Sequence, residues 1–319
     1  MNETTSANIT PGTSSVPESK KKNHVPVQNR IYSQAIKQSP EFMNFQVDFA
    51  VCLNELTNYF NAIIMGNFKA PDALLEKTDA MIRPGQTTID FFDMLHNLRS
   101  VDDSIYAHCL NVALIARTIG KWLKIPAEDL ETLTLSGLLH DIGKALIPDD
   151  LLNKQGKLTD EEYDLLCQHS QLGYDLLRPL PLNSHVKKAA LMHHERCDGS
   201  GYPGSATTDA IDDFANIVAI ADVYDAMTAA RTYRAPLCPF QVIAEFEKDG
   251  LQKYKPKFIL TFLEHIASTY QNNHVLLSDG HAANIVLLNK NHLSKPLVQL
   301  DNGECIDLSR SDLSINSLI

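Results

Sequence analysis

The chain has 319 residues, 44% of them hydrophobic, and a formal net charge of −11 at neutral pH. That length suits one large domain or two small ones, with enough apolar surface to bury a sizeable core. The acidic balance excludes a general DNA- or RNA-binding surface, which needs Lys and Arg clustered against a phosphate backbone. Any phosphate-bearing substrate must then be met locally, by metal ions or a few placed cations.

The six cysteines (Cys52, Cys109, Cys167, Cys197, Cys238 and Cys305) are scattered, with no Cys-x-x-Cys pair. Such usage predicts free thiols in a reducing compartment. Met1 to Ser19 lacks the apolar segment of a secretory signal, and no apolar run approaches the ~20 residues that cross a bilayer. The expectation is a cytoplasmic protein without a membrane span.

Residues 1–28 are rich in Ser, Thr, Asn, Pro and Lys, including Lys20-Lys21-Lys22, and predict a disordered tail. In residues 29–100 apolar side chains recur at helical spacing, as in Phe42, Phe45, Phe49, Leu53, Leu56 and Phe60. Pro71 and Pro84-Gly85 punctuate this stretch into about three helices of unassigned role. Ser104 to Leu123 predicts a stronger helix, in which His108 falls in register with Val112, Ile115, Ile119 and Trp122. On its own, His108 reads as a hydrogen-bonded core histidine.

Ala127 to Lys144 predicts the next helix. It ends in Leu-Leu-His140-Asp141-Ile-Gly-Lys144, so an imidazole, a carboxylate and an ammonium lie within five residues of an apolar segment. Buried charges are costly unless paired or bound to metal. A structural Asp141–Lys144 ion pair explains two of the three groups and leaves His140 without a role. Pro148 opens a short helical segment. Thr159 with Glu162 has the spacing of a capping box for the helix that carries His169, which Pro179 and Pro181 stop.

Asn183 to Met192 predicts the helix that delivers His193 and His194. The segment His193-His-Glu-Arg-Cys-Asp-Gly-Ser-Gly-Tyr-Pro203 follows, with Gly199 and Gly201 read as positive-φ positions of a turn. From Ile211 to Ala230 a helix apolar nearly all round carries Asp222 and Asp225 on one face. Those carboxylates need a cation; caps and core salt bridges compete with metal, and Arg231 and Arg234 are too few and too near the end to serve both. Amphipathic helices follow at Pro239–Lys248 and Pro256–Tyr270. After Asn273 the period becomes two, predicting hairpins turned at Asp279-Gly280 and Asp301-Asn302-Gly303.

Taken together, His108, His140, Asp141, His169, His193, His194 and Asp222 exceed the needs of one metal ion. They suit two ions joined by a shared carboxylate, with Asp141 best placed to bridge, inside a helical bundle. Nitrogen-rich ligation disfavours magnesium or calcium and favours iron, manganese, zinc or a related metal.

The segments His140-Asp141-Ile142-Gly143-Lys144 and His193-to-Pro203, with Gly201-Tyr202-Pro203 intact, resemble the HD-GYP family of bacterial cyclic di-GMP phosphodiesterases. Ala221 to Met227 with Arg231-Thr-Tyr-Arg234 fits the same family. The resemblance implies a mainly α fold: an HD-domain helical bundle over residues 101–271, extra N-terminal helices, and a small C-terminal β-hairpin appendage over 272–319. It assigns His108, His140, Asp141 and Asp222 to one ion and His169, His193 and His194 to the other, Asp141 touching both. Iron is the favoured metal. Some members add a glutamate one turn before the first histidine and hold a third ion; here that position is Ser104, so two ions are expected.

The implied chemistry is attack by a hydroxide bridging the two ions, converting cyclic di-GMP to linear pGpG and onward to GMP. Asp141 and Lys144 are the expected catalytic groups. Lys144, Gly201, Tyr202, Pro203, Asp225, Arg231 and Arg234 are the expected substrate contacts, and an ion pair with Asp225 is the structural alternative for Lys144. A diguanylate cyclase (GGDEF) partner and a homodimer are the assemblies the resemblance allows. A non-catalytic cyclic dinucleotide receptor or docking module, and a phosphohydrolase of another nucleotide such as cyclic GMP-AMP, are the competing readings.

Overall fold

The structure, a computed structural model, describes residues 36–83, 85–98, 104–229 and 236–319. The expected tail over 1–28 and the candidate residues Arg231 and Arg234 lie outside the described residues.

Helix α1 (Pro40–Ile64) starts where the Ser39 hydroxyl accepts the Phe42 N–H and Pro40 fixes the first turn. Its stripe of Phe42, Phe45, Phe49, Leu56 and Phe60 is buried. Helices α2 (Asp72–Ala80) and α3 (Thr88–Leu98) complete the three expected in this region. All three close onto the same continuous core as the rest of the chain. Arg117 ties α2 to the bundle by pairing with Asp79 while donating to Thr134 Oγ1 at 3.1 Å. Phe92 of α3 stacks near Trp122, and His96 Nε2 meets the Tyr224 hydroxyl at 3.1 Å.

The bundle centres on α4 (Ile105–Trp122) and α5 (Ala127–Leu139). They cross so closely that a Cβ on Gly137 would fall 2.5 Å from Ala113 Cα. Helix α5 is shorter than its apolar pattern predicts. It ends at Leu139, His140 caps it, and Ile142–Leu146 form a tighter 3₁₀ turn. The change occurs where the backbone passes directly against α7 (Asp160–Leu177). Gly143 sits so close to His169 O and Gly173 N that no side chain fits between them.

The short α6 (Asp149–Leu152) follows Pro148 as expected, and α7 begins with the capping box of Thr159 and Glu162. Helices α8 (Ser184–Met192), α9 (Asp213–Thr228), α10 (Pro239–Asp249) and α11 (Pro256–Thr269) complete the helical part. Among the described residues no helix is long and apolar enough to cross a membrane.

The C-terminal strands are β1 (His274–Leu277), β2 (Ala282–Leu287), β3 (Leu297–Leu300), β4 (Cys305–Asp307) and β5 (Ile315–Leu318). They form one antiparallel sheet in the order β4-β3-β2-β1-β5, with Val275 opposite Ala283 and Ile285 opposite Val298. Both expected hairpins are present, joined edge to edge through β2 and β3. The fifth strand escapes sequence reading because Ile-Asn-Ser-Leu is too short to show alternation. One sheet face buries Val275, Leu277, Ala283, Ile285 and Val298 in the common core. All six cysteines are free thiols.

Replacing Gly143 by Ala forces a methyl group into the α7 backbone. The Gly143→Ala variant is expected to lose about 2 kcal/mol or more of stability, as overpacked sites do. Urea denaturation midpoints of the two proteins check this.

Candidate metal centre

The seven expected donors arrive on five elements. His108 projects from the first turn of α4, His140 and Asp141 from the break after α5, and His169 from the middle of α7. His193 caps the C-terminus of α8 with His194 beside it, and Asp222 lies on α9. These seven residues, distant in sequence, converge. The donor atoms of Asp141, His169, His193 and His194 lie within 4.8 Å of one another, and so do those of His108, His140 and Asp222.

Asp141 stands between the two groups and shows each a different oxygen. Its Oδ2 is 3.4 Å from His140 Nε2 and 3.6 Å from His108 Nε2, and His108 Nε2 is itself 3.1 Å from Asp222 Oδ1. Its Oδ1 is 3.3 Å from His169 Nε2 and 3.5 Å from His193 Nε2. His194 completes the second side, its ring centroid 4.1 Å from that of His193 and 5.1 Å from that of His169. The carboxylate is 1% exposed.

The imidazoles are oriented from behind. His140 Nδ1 meets Gly137 O at 2.8 Å, His169 Nδ1 meets Leu166 O at 2.7 Å, and His193 Nδ1 meets Ala189 O at 3.0 Å. A carbonyl can only accept, so each Nδ1 carries the proton and each Nε2 turns a lone pair inward in the neutral ring. For His108 the partner is a carboxylate, Asp225 Oδ2, at 2.6 Å. Backing of this kind fixes the tautomer and raises ligand basicity. Nε2 of His169 and of His193 face each other at 3.3 Å. Buried and without hydrogen-bond partners are His140 Nε2 and Asp141 Oδ1. Orphaned acceptors aimed at one another are unfavourable unless a cation lies among them. The residues therefore fit a divalent metal, and the His/Asp cluster could bind one.

The electrostatics agree. Burial alone would push His140 down, but the Asp141 carboxylate holds it well above the ordinary imidazole value. Burial lowers His193 to about 4, and it lowers His194, which His193 also disfavours, and His108, against the pull of Asp222. Burial opposes ionisation of Asp141 and Asp222, yet Lys144 and His140 hold the first, and His108 the second, well below the carboxylate range. Asp141 and Asp222 therefore stay ionised at the centre, each held by the positive charge or imidazoles beside it.

The remaining candidates are placed as follows. Lys144 Nζ pairs with Asp141 Oδ2 at 2.5 Å, and its side chain is about a quarter exposed. The ion pair is therefore with Asp141; Asp225, expected among the substrate contacts, is buried behind His108. Ser104 caps α4, its Oγ accepting the Ala107 N–H. Tyr202 stacks on His194 with ring centroids 4.6 Å apart, and the Tyr202–Pro203 peptide is cis. Gly199 has φ +78° as expected, but Gly201 does not adopt positive φ. Gly201 is required for close approach, because a Cβ there would overlap the backbone at His194, Glu195 and Arg196.

Sequence reasoning missed two residues. Glu195, 2% exposed, accepts Gly204 N–H at 2.6 Å and Ala206 N–H at 2.8 Å and so clamps the loop that carries Tyr202. Its position straight after the paired histidines was the available signal. Cys109 lies off the His108 stripe, yet its sulfur falls within 4.8 Å of donor atoms of His140 and Asp141. Only its adjacency to His108 could have pointed to it.

The HD domain family model matches residues 71–258. The chain belongs to the HD domain family. Its His140–Lys144 and Gly201–Pro203 segments place it in the HD-GYP branch. Over 141 residues this HD domain is 39% identical to the cyclic di-GMP phosphodiesterase PA4108 of Pseudomonas aeruginosa, covering 44% of the chain and 34% of that protein. Over 161 residues it is 34% identical to 3'3'-cGAMP-specific phosphodiesterase 2 of Vibrio cholerae, covering 50% and 31%. The chain spans about a third of the length of these curated relatives. Among solved structures, Bd1817, an HDG"Y"P protein from Bdellovibrio bacteriovorus, shares the fold with a TM-score of 0.57 at 17% identity, covering 75% of this chain and 77% of that one.

Two predictions follow from the geometry of this HD domain. Asp225→Asn leaves His108 without its carboxylate support and is expected to weaken metal binding by about 10–100-fold, measured by competitive metal titration. Acid should destabilise the metal-free protein. For His193 the folded value of about 4 lies below the ordinary 6.5, so its stabilisation is complete above 6.5 and lost as pH falls through 4. His108 and His194 shift the same way. His140, raised, is protonated in both states across that window and adds no slope. Urea midpoints should fall between about pH 6.5 and 4 and fall less steeply in His193→Gln.

Proposed function

We propose that the chain is a metal-dependent phosphodiesterase that hydrolyses cyclic di-GMP to linear pGpG and onward to GMP. The observation that carries this reading is the two-sided Asp141 carboxylate between two converging sets of imidazole nitrogens, with His140 Nε2 and Asp141 Oδ1 left without hydrogen-bond partners. His108, His140, Asp222 and Asp141 Oδ2 would hold one divalent ion. His169, His193, His194 and Asp141 Oδ1 would hold a second. Iron is the expected metal, with manganese or another transition metal as the alternative; imidazole ligation suits iron among several transition metals.

When bound, such a pair of ions supplies water activation at neutral pH and neutralises charge on a phosphodiester. The protein's own groups do the positioning. The Nδ1 partners hold five-membered rings in one tautomer, and burial of Asp141 keeps the centre in low dielectric, where its interactions are strong. Lys144 lies at the edge of the centre, about a quarter exposed, placed to meet charge developing on a phosphoryl oxygen. Gly201, Tyr202 and Pro203 form a wall of the mouth, held by Glu195. Arg231 and Arg234 serve the second phosphate or a guanine.

The relatives named as cyclic di-GMP phosphodiesterases support the substrate, and those named as 3'3'-cGAMP-specific support cyclic GMP-AMP as a second reading. A non-catalytic receptor accords less well with a complete donor set. We place the protein in the bacterial cytoplasm, with a diguanylate cyclase and a second copy of the chain as its candidate partners.

Anaerobically metal-loaded protein should cut cyclic di-GMP faster than cyclic GMP-AMP when both are assayed side by side, and chelation should abolish turnover. His194→Ala should lower the rate by at least about 100-fold, beyond the usual effect of losing a supporting residue. Loaded, folded protein that cuts neither dinucleotide contradicts the proposal.

A further inference from the structure

The structure assigns Tyr163 to a stacking platform for one base of the dinucleotide, a role that rests on the cyclic dinucleotide reading above. A line of rings runs outward from the buried centre. His193 and His194 lie 4.1 Å apart, His194 and Tyr202 stack at 4.6 Å, and Tyr163 stands 6.5 Å from Tyr202. Exposure rises along the same line, from 0% at His193 to 52% at Tyr163.

Tyr163 sits in the first turns of α7, where an apolar ring half in solvent serves no core. Cys167 lies one helical turn on, on the same side of α7 as Tyr163. Tyr163 is half exposed, so ring surface remains open to solvent beside Tyr202. The two tyrosine planes meet at 78°, making a corner of two aromatic walls beside the centre. A planar base entering that corner lies on one ring and meets the edge of the other, both favoured aromatic geometries. The phosphodiester then reaches the inner end of the line, where the donors converge. A purine covers more of such a wall than a pyrimidine does, since stacking scales with the area of the π-face.

The test compares wild type, Tyr163→Ala, Tyr163→Leu and Tyr163→Phe, metal-loaded, with cyclic di-GMP and with cyclic di-UMP. For cyclic di-GMP the Ala and Leu variants should raise KM about tenfold with kcat kept within about twofold, while Phe stays near wild type. The change for cyclic di-UMP should be smaller. Unchanged KM in Ala and Leu overturns the assignment. So does a fall in kcat at constant KM, which would make Tyr163 a prop for Tyr202. Should wild type bind cyclic di-GMP without cutting it, the phosphodiesterase reading fails alone and the same comparison is made on Kd. If wild type does not bind it, both fail.

Discussion

Everything in this molecule is arranged around one carboxylate that is out of water and touched on both sides. Asp141 is 1% exposed, and an isolated charge in that position would be very costly. The cost is offset by Lys144 on one oxygen and by imidazoles facing both. Four elements, α4, α7, α8 and the break after α5, bring those rings in, each by a backbone or carboxylate hydrogen bond on its far nitrogen. The arrangement leaves lone pairs converging on the space beside Asp141, and that is the chemical demand for metal.

Bringing helices close enough to do this requires missing side chains. Gly137 lets α5 cross α4, Gly143 lets the 3₁₀ turn press against His169, and Gly201 lets the loop fold back over the paired histidines. None of the three has positive φ, so their shared purpose is contact and not backbone permissiveness. Glu195 then fixes the loop through two N–H groups, giving Tyr202 a firm seat on His194. The N-terminal helices take part too, since α3 reaches Tyr224, between Asp222 and Asp225, through His96.

Much of this was legible in the chain itself. The helix starts at Ser104 and Thr159 follow from their capping side chains, and the His140-Asp141 and His193-His194 pairs and Asp222 drew attention as polar groups, while His108 and His169 gained meaning only beside them. Three features were not legible, each for a physical reason. The end of α5 at Leu139 depends on α7 packing against Gly143, a tertiary contact that local periodicity does not encode. Asp225 shares a helix face with Asp222, but its partner is His108, 117 residues away. Strand β5 gains its place only from pairing with β1, because four residues carry too little pattern.

The central claim is tested most directly by counting metal in protein purified without oxygen, beside an Asp141→Ala variant shown to be folded. About two transition-metal ions per wild-type chain are expected, with a marked loss in the variant, because both sides of the centre share that residue. Wild-type protein that is folded and metal-exposed but holds one ion or none, or a variant that keeps both, contradicts the claim.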